Sequence, residues 1–208
     1  MESKRRTQVE RSAATRSALV AAARRLFAVD GYAAVGTEAI VQEAGVSRGA
    51  LYHQFADKAE LFAAVVDEIE AEVVDRIAAH VGAAAETDPA ALDDPRKVLE
   101  RGIDGWLDAS TQPEVQRIVL LDAPGVLGWE RWRSSGLKYS LGFVEATLQE
   151  FIDAGALTPQ PVRPLAHLVV SAVDEAALYI AQAPDPATAR TEMRAALQRM
   201  LAGLLQSP

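Results

Sequence analysis

Apolar residues recur along most of the chain at intervals of three and four, the spacing that places them on one face of an α-helix. In residues 12–30, Leu19, Ala22, Leu26 and Phe27 share such a face, and Gly31 ends the run. Thr37 is placed to cap a short helix reaching Ala44, and a second short helix is predicted from Ser47 to Gln54. Asp57 opens a long helix bearing Leu61, Val65, Ile69 and Val73, which is predicted to end near Gly82. Glu86 to Pro95 mixes Asp, Thr, Ala and proline and reads as a loop. Beyond it, Pro95 to Ala109 turns Val98, Ile103, Trp106 and Leu107 inward, and Pro113 opens a helix to Leu121. Residues 122–128 form a turn or a short helical piece. Trp129 to Ala154 is long, with Leu137, Leu141, Val144, Leu148 and Phe151 on one stripe, and Gly155 stops it. Two helices, 164–182 and 186–205, close the chain on either side of Pro184-Asp185-Pro186. No segment alternates with the period of a strand, so the fold class is all-α, of about nine or ten helices.

The two short helices carry the chemistry. Gly45 supplies the positive φ of a tight turn between them, Val46 is an apolar plug, and the Ser47 hydroxyl can cap the second helix. Within that helix Ala50, Leu51 and Phe55 face inward. Ser47, Arg48, Gly49, Tyr52 and His53 are left facing outward, where the recognition helix of a helix-turn-helix meets DNA. A guanidinium can bond guanine bidentately, which makes Arg48 the first candidate for reading a base edge. Gly49 lets the backbone come close. Tyr52 and His53 suit phosphate oxygens or thymine methyls, though Tyr52 can equally be a packing residue and His53 merely exposed. Thr37, at a helix start, suits a phosphate.

Residues 11–66 resemble the N-terminal DNA-binding domain of the TetR family of bacterial transcriptional regulators. The resemblance is carried by Leu26-Phe27, Gly31-Tyr32, Thr37, Ile40, Glu43-Ala44-Gly45-Val46-Ser47, Leu51-Tyr52, Phe55, Lys58 and Glu60-Leu61-Phe62. Gly36 and Gln54 depart from the usual residues at their positions. The resemblance implies a three-helix head, residues 1–56, on a helical body, residues 57–208, that binds an effector and dimerises. It implies that Lys58 meets a phosphate, that a dimer grips a palindromic operator in double-stranded DNA, and that a small molecule in the body releases it. Repression is the family's common mode, with activation as the alternative.

Charge distribution agrees with a DNA-binding head. The net charge is −8, yet residues 1–60 hold nine Lys/Arg against seven Asp/Glu, and 61–208 hold twelve against twenty-two. Lys4-Arg5-Arg6 and Arg11 are either a DNA arm or a solvated terminus. There is no cysteine, so neither disulfides nor thiolate metal sites arise, and no cofactor is called for. The basic start lacks the apolar run of a secretory signal, and Leu165 to Ala181, the most apolar stretch, is interrupted by His167, Asp174 and Glu175. A cytoplasmic protein without a membrane span is the expectation. An enzyme is disfavoured, since there is no nucleophile, dinucleotide or P-loop motif, and only His53, His80 and His167 as histidines. A helical protein-interaction scaffold is the other rival; it explains the apolar stripes but not Gly45-Val46-Ser47-Arg48-Gly49 with its basic N-terminus.

In the body, Trp129, Trp132, Gly136, Tyr139 and Phe143 share one helix face, and His167, Ser171 and Asp174 share another. With Trp106, Leu120, Leu121 and Tyr179 they are the candidate lining of an effector cavity, or simply core. For dimerisation the candidates are Leu168, Val169, Ala172, Ala176 and Ile180 on one closing helix, and Ala189, Met193, Ala196, Leu197, Met200, Leu201 and Leu204 on the other. The same stripes can instead complete the core of a single chain.

Overall fold

A computed structural model describes residues 2–87 and 94–205. Its elements are α1 (Glu2–Ala34), α2 (Thr37–Ala44), α3 (Arg48–Gln54), α4 (Lys58–Thr87), α5 (Pro95–Ala109), a π-helical segment π1 (Val115–Asp122), α6 (Ala123–Leu127), α7 (Trp129–Asp153), α8 (Val162–Gln182) and α9 (Pro186–Leu205). There is no strand among the described residues. The all-α architecture and the order of elements follow the apolar periodicity. Part of the expected loop over Glu86–Pro95 lies outside the described residues, and α4 runs past Gly82 to Thr87.

Local chemistry explains most boundaries. Gly31 has φ 76° and ψ 165°, which breaks α1 three residues before its end. Asp57 Oδ1 accepts from the Glu60 amide at 2.8 Å, and Asp94 Oδ1 accepts from the Arg96 amide at 3.0 Å, each satisfying an orphan donor at a helix start. Thr37, expected as a cap, is instead the first residue of α2; Gly36 holds the cap position in an extended conformation and offers no side-chain bond.

The segment after Pro113 is the largest departure from a regular helix. Its hydrogen bonds skip one residue more than in an α-helix, and the wider turn lets Ile118, Val119 and Leu120 all be buried in succession. The Trp132 indole N–H donates to the Val119 carbonyl at 2.9 Å and so holds this turn to α7.

Two apolar cores result. One joins Leu19, Phe27, Ile40, Leu51 and Phe55 of α1–α3 to Leu61, Phe62, Val66 and Ile69 of α4, and continues into Val115, Ile118 and Val119 of π1. The other joins α5, α7, α8 and α9 through Leu107, Leu148, Phe151, Val169, Ile180 and Leu197. Packing therefore does not divide at residue 56: the head shares its core with α4 and π1. Helix α8 is long and apolar enough, by length and composition, to cross a membrane, which corrects the expectation that no stretch would be. Its apolar face, including Ala166, Val169, Val170, Ala176 and Ile180, is buried within the bundle.

Gly31 and Gly142 make opposite tests of this backbone. A Cβ on Gly31 would displace the Arg117 guanidinium and, more costly, would force an L-residue to positive φ, whereas Gly142 is helical with nothing within 4 Å. In urea unfolding, Gly31→Ala is expected to cost at least ~2 kcal/mol, and Gly142→Ala to gain about 0.5–1 kcal/mol.

Candidate DNA-reading face and ligand cavity

The turn between α2 and α3 is built as its residues demand. Gly45 lies in the left-handed region at φ 65°. The Val46 amide donates to the Val41 carbonyl at 3.1 Å and the Gly45 amide to that of Gln42 at 3.2 Å, the paired bonds of a Schellman C-cap. Ser47 Oγ accepts from the Ala50 amide at 3.2 Å and so caps α3, which leaves its O–H as a donor. Leu51 and Phe55 are buried beneath the helix.

Arg48, Gly49, Tyr52 and His53 are all exposed on the outer side of α3. Arg48 has only a loose contact with Glu38, at 3.8 Å, and its guanidinium carbon lies 5.7 Å from the centre of the Tyr52 ring. The Tyr52 hydroxyl is within reach of Arg48 and, secondly, of Thr37; both bonds favour the phenolate and lower its pKa. Thr37, Arg48 and Tyr52 thus form one polar cluster across α2 and α3, with space beside Gly49.

Lys58 opens α4 as expected, but its ammonium turns inward. Nζ donates to the Tyr32 and Val35 carbonyls, both at 3.0 Å, and sits 3.9 Å from the centre of the Tyr32 ring. It closes the end of α1, a role that no pattern of spacing signals. Gln54 is used similarly: its amide donates to Ser12 Oγ at 2.8 Å and ties α3 to α1.

A cavity of about 420 Å³ lies between α4, α5, π1, α7 and α8. Its wall is almost wholly apolar, with rings from Trp106, Trp132, Tyr139 and Phe143 and aliphatic side chains such as Val73, Ile77, Leu120 and Val173. Gly136 also lines it, as the stripe on α7 implies. Asp174 does too, paired with Arg133 at 2.5 Å. Five residues expected in the lining are elsewhere. Trp129 and Tyr179 are more than half exposed, and Leu121 points outward while its neighbours Val119 and Leu120 point in. His167 and Ser171 lie off the cavity on α8; Ser171 Oγ donates to the His167 carbonyl and accepts from Arg133 at 2.7 Å. The helix face they share with Asp174 is wide, and only its Asp174 edge meets the cavity.

Glu70 and Arg133 are cavity residues that sequence reasoning missed. Glu70 is only 7% exposed and accepts a hydrogen bond from the Ser135 hydroxyl. The signal was a charged residue inside the apolar stripe Val66, Glu70, Val73, Ile77 of α4. Burial pushes its carboxyl up to about 7, with Asp67 and Asp174 adding to the shift. Burial likewise raises Asp174 to about 6, against the lowering effect of Arg133.

The cavity and the head share π1. Val119 and Leu120 line the cavity, while the residues at both ends of the segment hold α1. Glu114, just before π1, takes bonds of 2.8 and 3.0 Å from Arg24, which also bonds Glu72 of α4. At the other end, Asp122 Oδ2 accepts from the Tyr32 amide at 2.8 Å and lies 3.4 Å from Arg117.

The raised pKa of Glu70 has a thermodynamic consequence. Because the folded state holds this proton more tightly than the unfolded chain, stability falls as pH rises from the unfolded carboxyl value toward about 7. Glu70→Gln is therefore expected to be close to neutral in urea unfolding at low pH, and to become stabilising by roughly 1–3 kcal/mol above pH ~7.

Comparison with known proteins gives the same assignment. Residues 19–65 match the bacterial regulatory proteins of the tetR family, and residues 96–204 match the tetracyclin repressor-like C-terminal domain. A TetR-family transcriptional regulator from Pectobacterium atrosepticum is 32% identical and superposes with a TM-score of 0.78, over 96% of this chain and 98% of that one. The HTH-type transcriptional regulator CymR of Pseudomonas putida is 32% identical over 122 residues, 59% of this chain and 58% of CymR, so the match spans little more than half of that protein. The transposon Tn10 TetC protein of Escherichia coli is 29% identical over 161 residues, 76% of this chain and 75% of TetC. With a capped helix-turn-helix at one end and a matching helical body at the other, the chain belongs to the TetR family of bacterial transcriptional regulators.

Proposed function

We propose that this regulator is a ligand-responsive repressor and not an enzyme: a cytoplasmic homodimer that binds a palindromic operator and lets go when a small molecule fills the body cavity. Residues 1–56 read DNA, and residues 57–208 hold the ligand and the partner subunit. The observation that carries this reading is π1, one segment that forms part of the cavity wall and is bonded at both ends to α1. A ligand acts only through its different affinity for two head positions, and π1 is where such a difference would arise.

Arg48 and Tyr52 are the base-reading candidates, with Thr37 and His53 at the flanks. Ser47 contributes by capping α3 and Gly49 by leaving room. Dimerisation fits the faces that the monomer leaves uncovered. On α8 these include Leu168, at 68% exposure, and Tyr179; on α9 they include Ala196 and Met200. Val169, Ala176, Ile180, Ala189, Leu197 and Leu201 are used inside the single chain. A four-helix interface of two helices from each subunit would bring two heads to half-sites about 34–36 Å apart.

Titrating the protein against DNA from around its own gene tests the reading, with fluorescence anisotropy as the readout. Arg48→Ala is expected to weaken operator binding by about 1–3 kcal/mol and to relax specificity; unchanged affinity contradicts the base-reading role. Lys58→Met separates two roles. Loss of the α1 cap lowers stability and leaves the salt dependence of binding intact, whereas loss of a phosphate contact flattens that dependence by about one unit. Leu168→Glu is expected to give a monomer in sedimentation and to abolish tight operator binding. Asp122→Ala is expected to retain operator binding and cavity occupancy but to blunt ligand-driven release by about tenfold.

A further inference from the structure

We propose that the cavity accepts a lipophilic amine: an apolar, ring-bearing body with one protonated nitrogen that pairs with Glu70. This rests on the reading of the chain as a ligand-responsive regulator and names the class of ligand.

Charge in the wall is uneven. Arg133 and Asp174 neutralise one another, and the second guanidinium nitrogen of Arg133 is given to Ser171. Glu70 has a neutral partner, Ser135, and no ion pair among the described residues. The groups that face it from α4, α7 and α8 are Asp67, Lys138 and Asp174, two acids against one base, and the ammonium of Lys138 is turned to the Tyr139 hydroxyl at 3.1 Å. A buried carboxylate without a counter-ion is costly, and a ligand cation offsets that cost. The rings of Trp106, Trp132, Tyr139 and Phe143 line the same space and offer π faces to a desolvated ammonium.

A volume of about 420 Å³ suits a drug-sized molecule. An anionic ligand is disfavoured, because it would meet Glu70 with its charge unopposed.

Three probes of one skeleton test this: N,N-dimethyl-4-phenylbutylamine, 4-phenylbutan-1-ol and 4-phenylbutyrate, titrated into the full-length protein and followed by tryptophan fluorescence, to which Trp106 and Trp132 of the cavity wall and the exposed Trp129 contribute. The amine is expected to bind about tenfold more tightly than the alcohol above pH ~7, with the carboxylate weakest. That preference should shrink as pH falls and Glu70 takes up its proton, and Glu70→Gln should erase it while alcohol binding survives. If Glu70→Gln fails to fold, the ranking and pH profile of the unmodified protein decide. The proposal is overturned if alcohol or carboxylate binds as well as the amine, if no probe binds, or if the preference is independent of pH or of Glu70. Repeating the titrations on the operator complex separates the two readings. Glu70-dependent amine binding without DNA release supports the ligand class and contradicts ligand-responsive repression. DNA release by the alcohol or carboxylate alone supports regulation and overturns the amine.

Discussion

The position of the DNA-reading head depends on how π1 is held against α1. One end is fixed by Arg24, whose guanidinium reaches Glu114 and Glu72 and is 17% exposed, the other by Asp122 accepting the Tyr32 amide. Tyr32 is itself packed edge-on against Phe62 and roofed by Lys58. Partly exposed ion pairs of this kind add little net stability, because desolvation offsets most of their attraction. Their effect is geometric: several directional bonds from one planar guanidinium allow few relative positions of α1, α4 and π1.

That geometry gives the cavity its meaning. An apolar void inside a helical body forgoes dispersion contacts and costs stability, a cost that a molecule filling it would offset. Here the void borders the segment that ties the body to the head. The wide π turn that buries Ile118, Val119 and Leu120 also directs Leu121 outward, so the segment touches the cavity on one side while its ends hold α1. A molecule that packs better against one position of π1 biases the head by the same free energy, with no wire of residues required.

How much could be read from the sequence follows from how local each feature is. The turn Gly45-Val46-Ser47 was legible because a left-handed residue, an apolar plug and a cap act within a few residues of each other. Gly31, Asp57 and the stripe of Trp132, Gly136, Tyr139 and Phe143 were legible for the same reason. Lys58 was not, since its inward turn depends on carbonyls of α1 that only the tertiary fold brings near. Trp129, His167 and Ser171 share a helix face with lining residues, yet a face is wider than the cavity edge it meets, and Leu121 is turned outward by the π turn. Glu70 was concealed within an apolar stripe, where a carboxylate looks like an interruption until the fold shows what surrounds it. The stripes read as dimer faces mix core and surface positions for a physical reason: Val169 and Leu168 are adjacent in sequence, and α8 buries one and exposes the other.

The absence of native cysteine makes a direct measurement simple. Val29, at 81% exposure on α1, can be replaced by the only cysteine in the chain and spin-labelled, so that the interval between the two heads of a dimer is read by electron–electron double resonance. Coupling through π1 requires that filling the cavity shift or broaden this interval, and that Asp122→Ala suppress the change while the ligand still binds. An interval that stays the same on filling the cavity, or that changes equally in the Asp122→Ala protein, would contradict it.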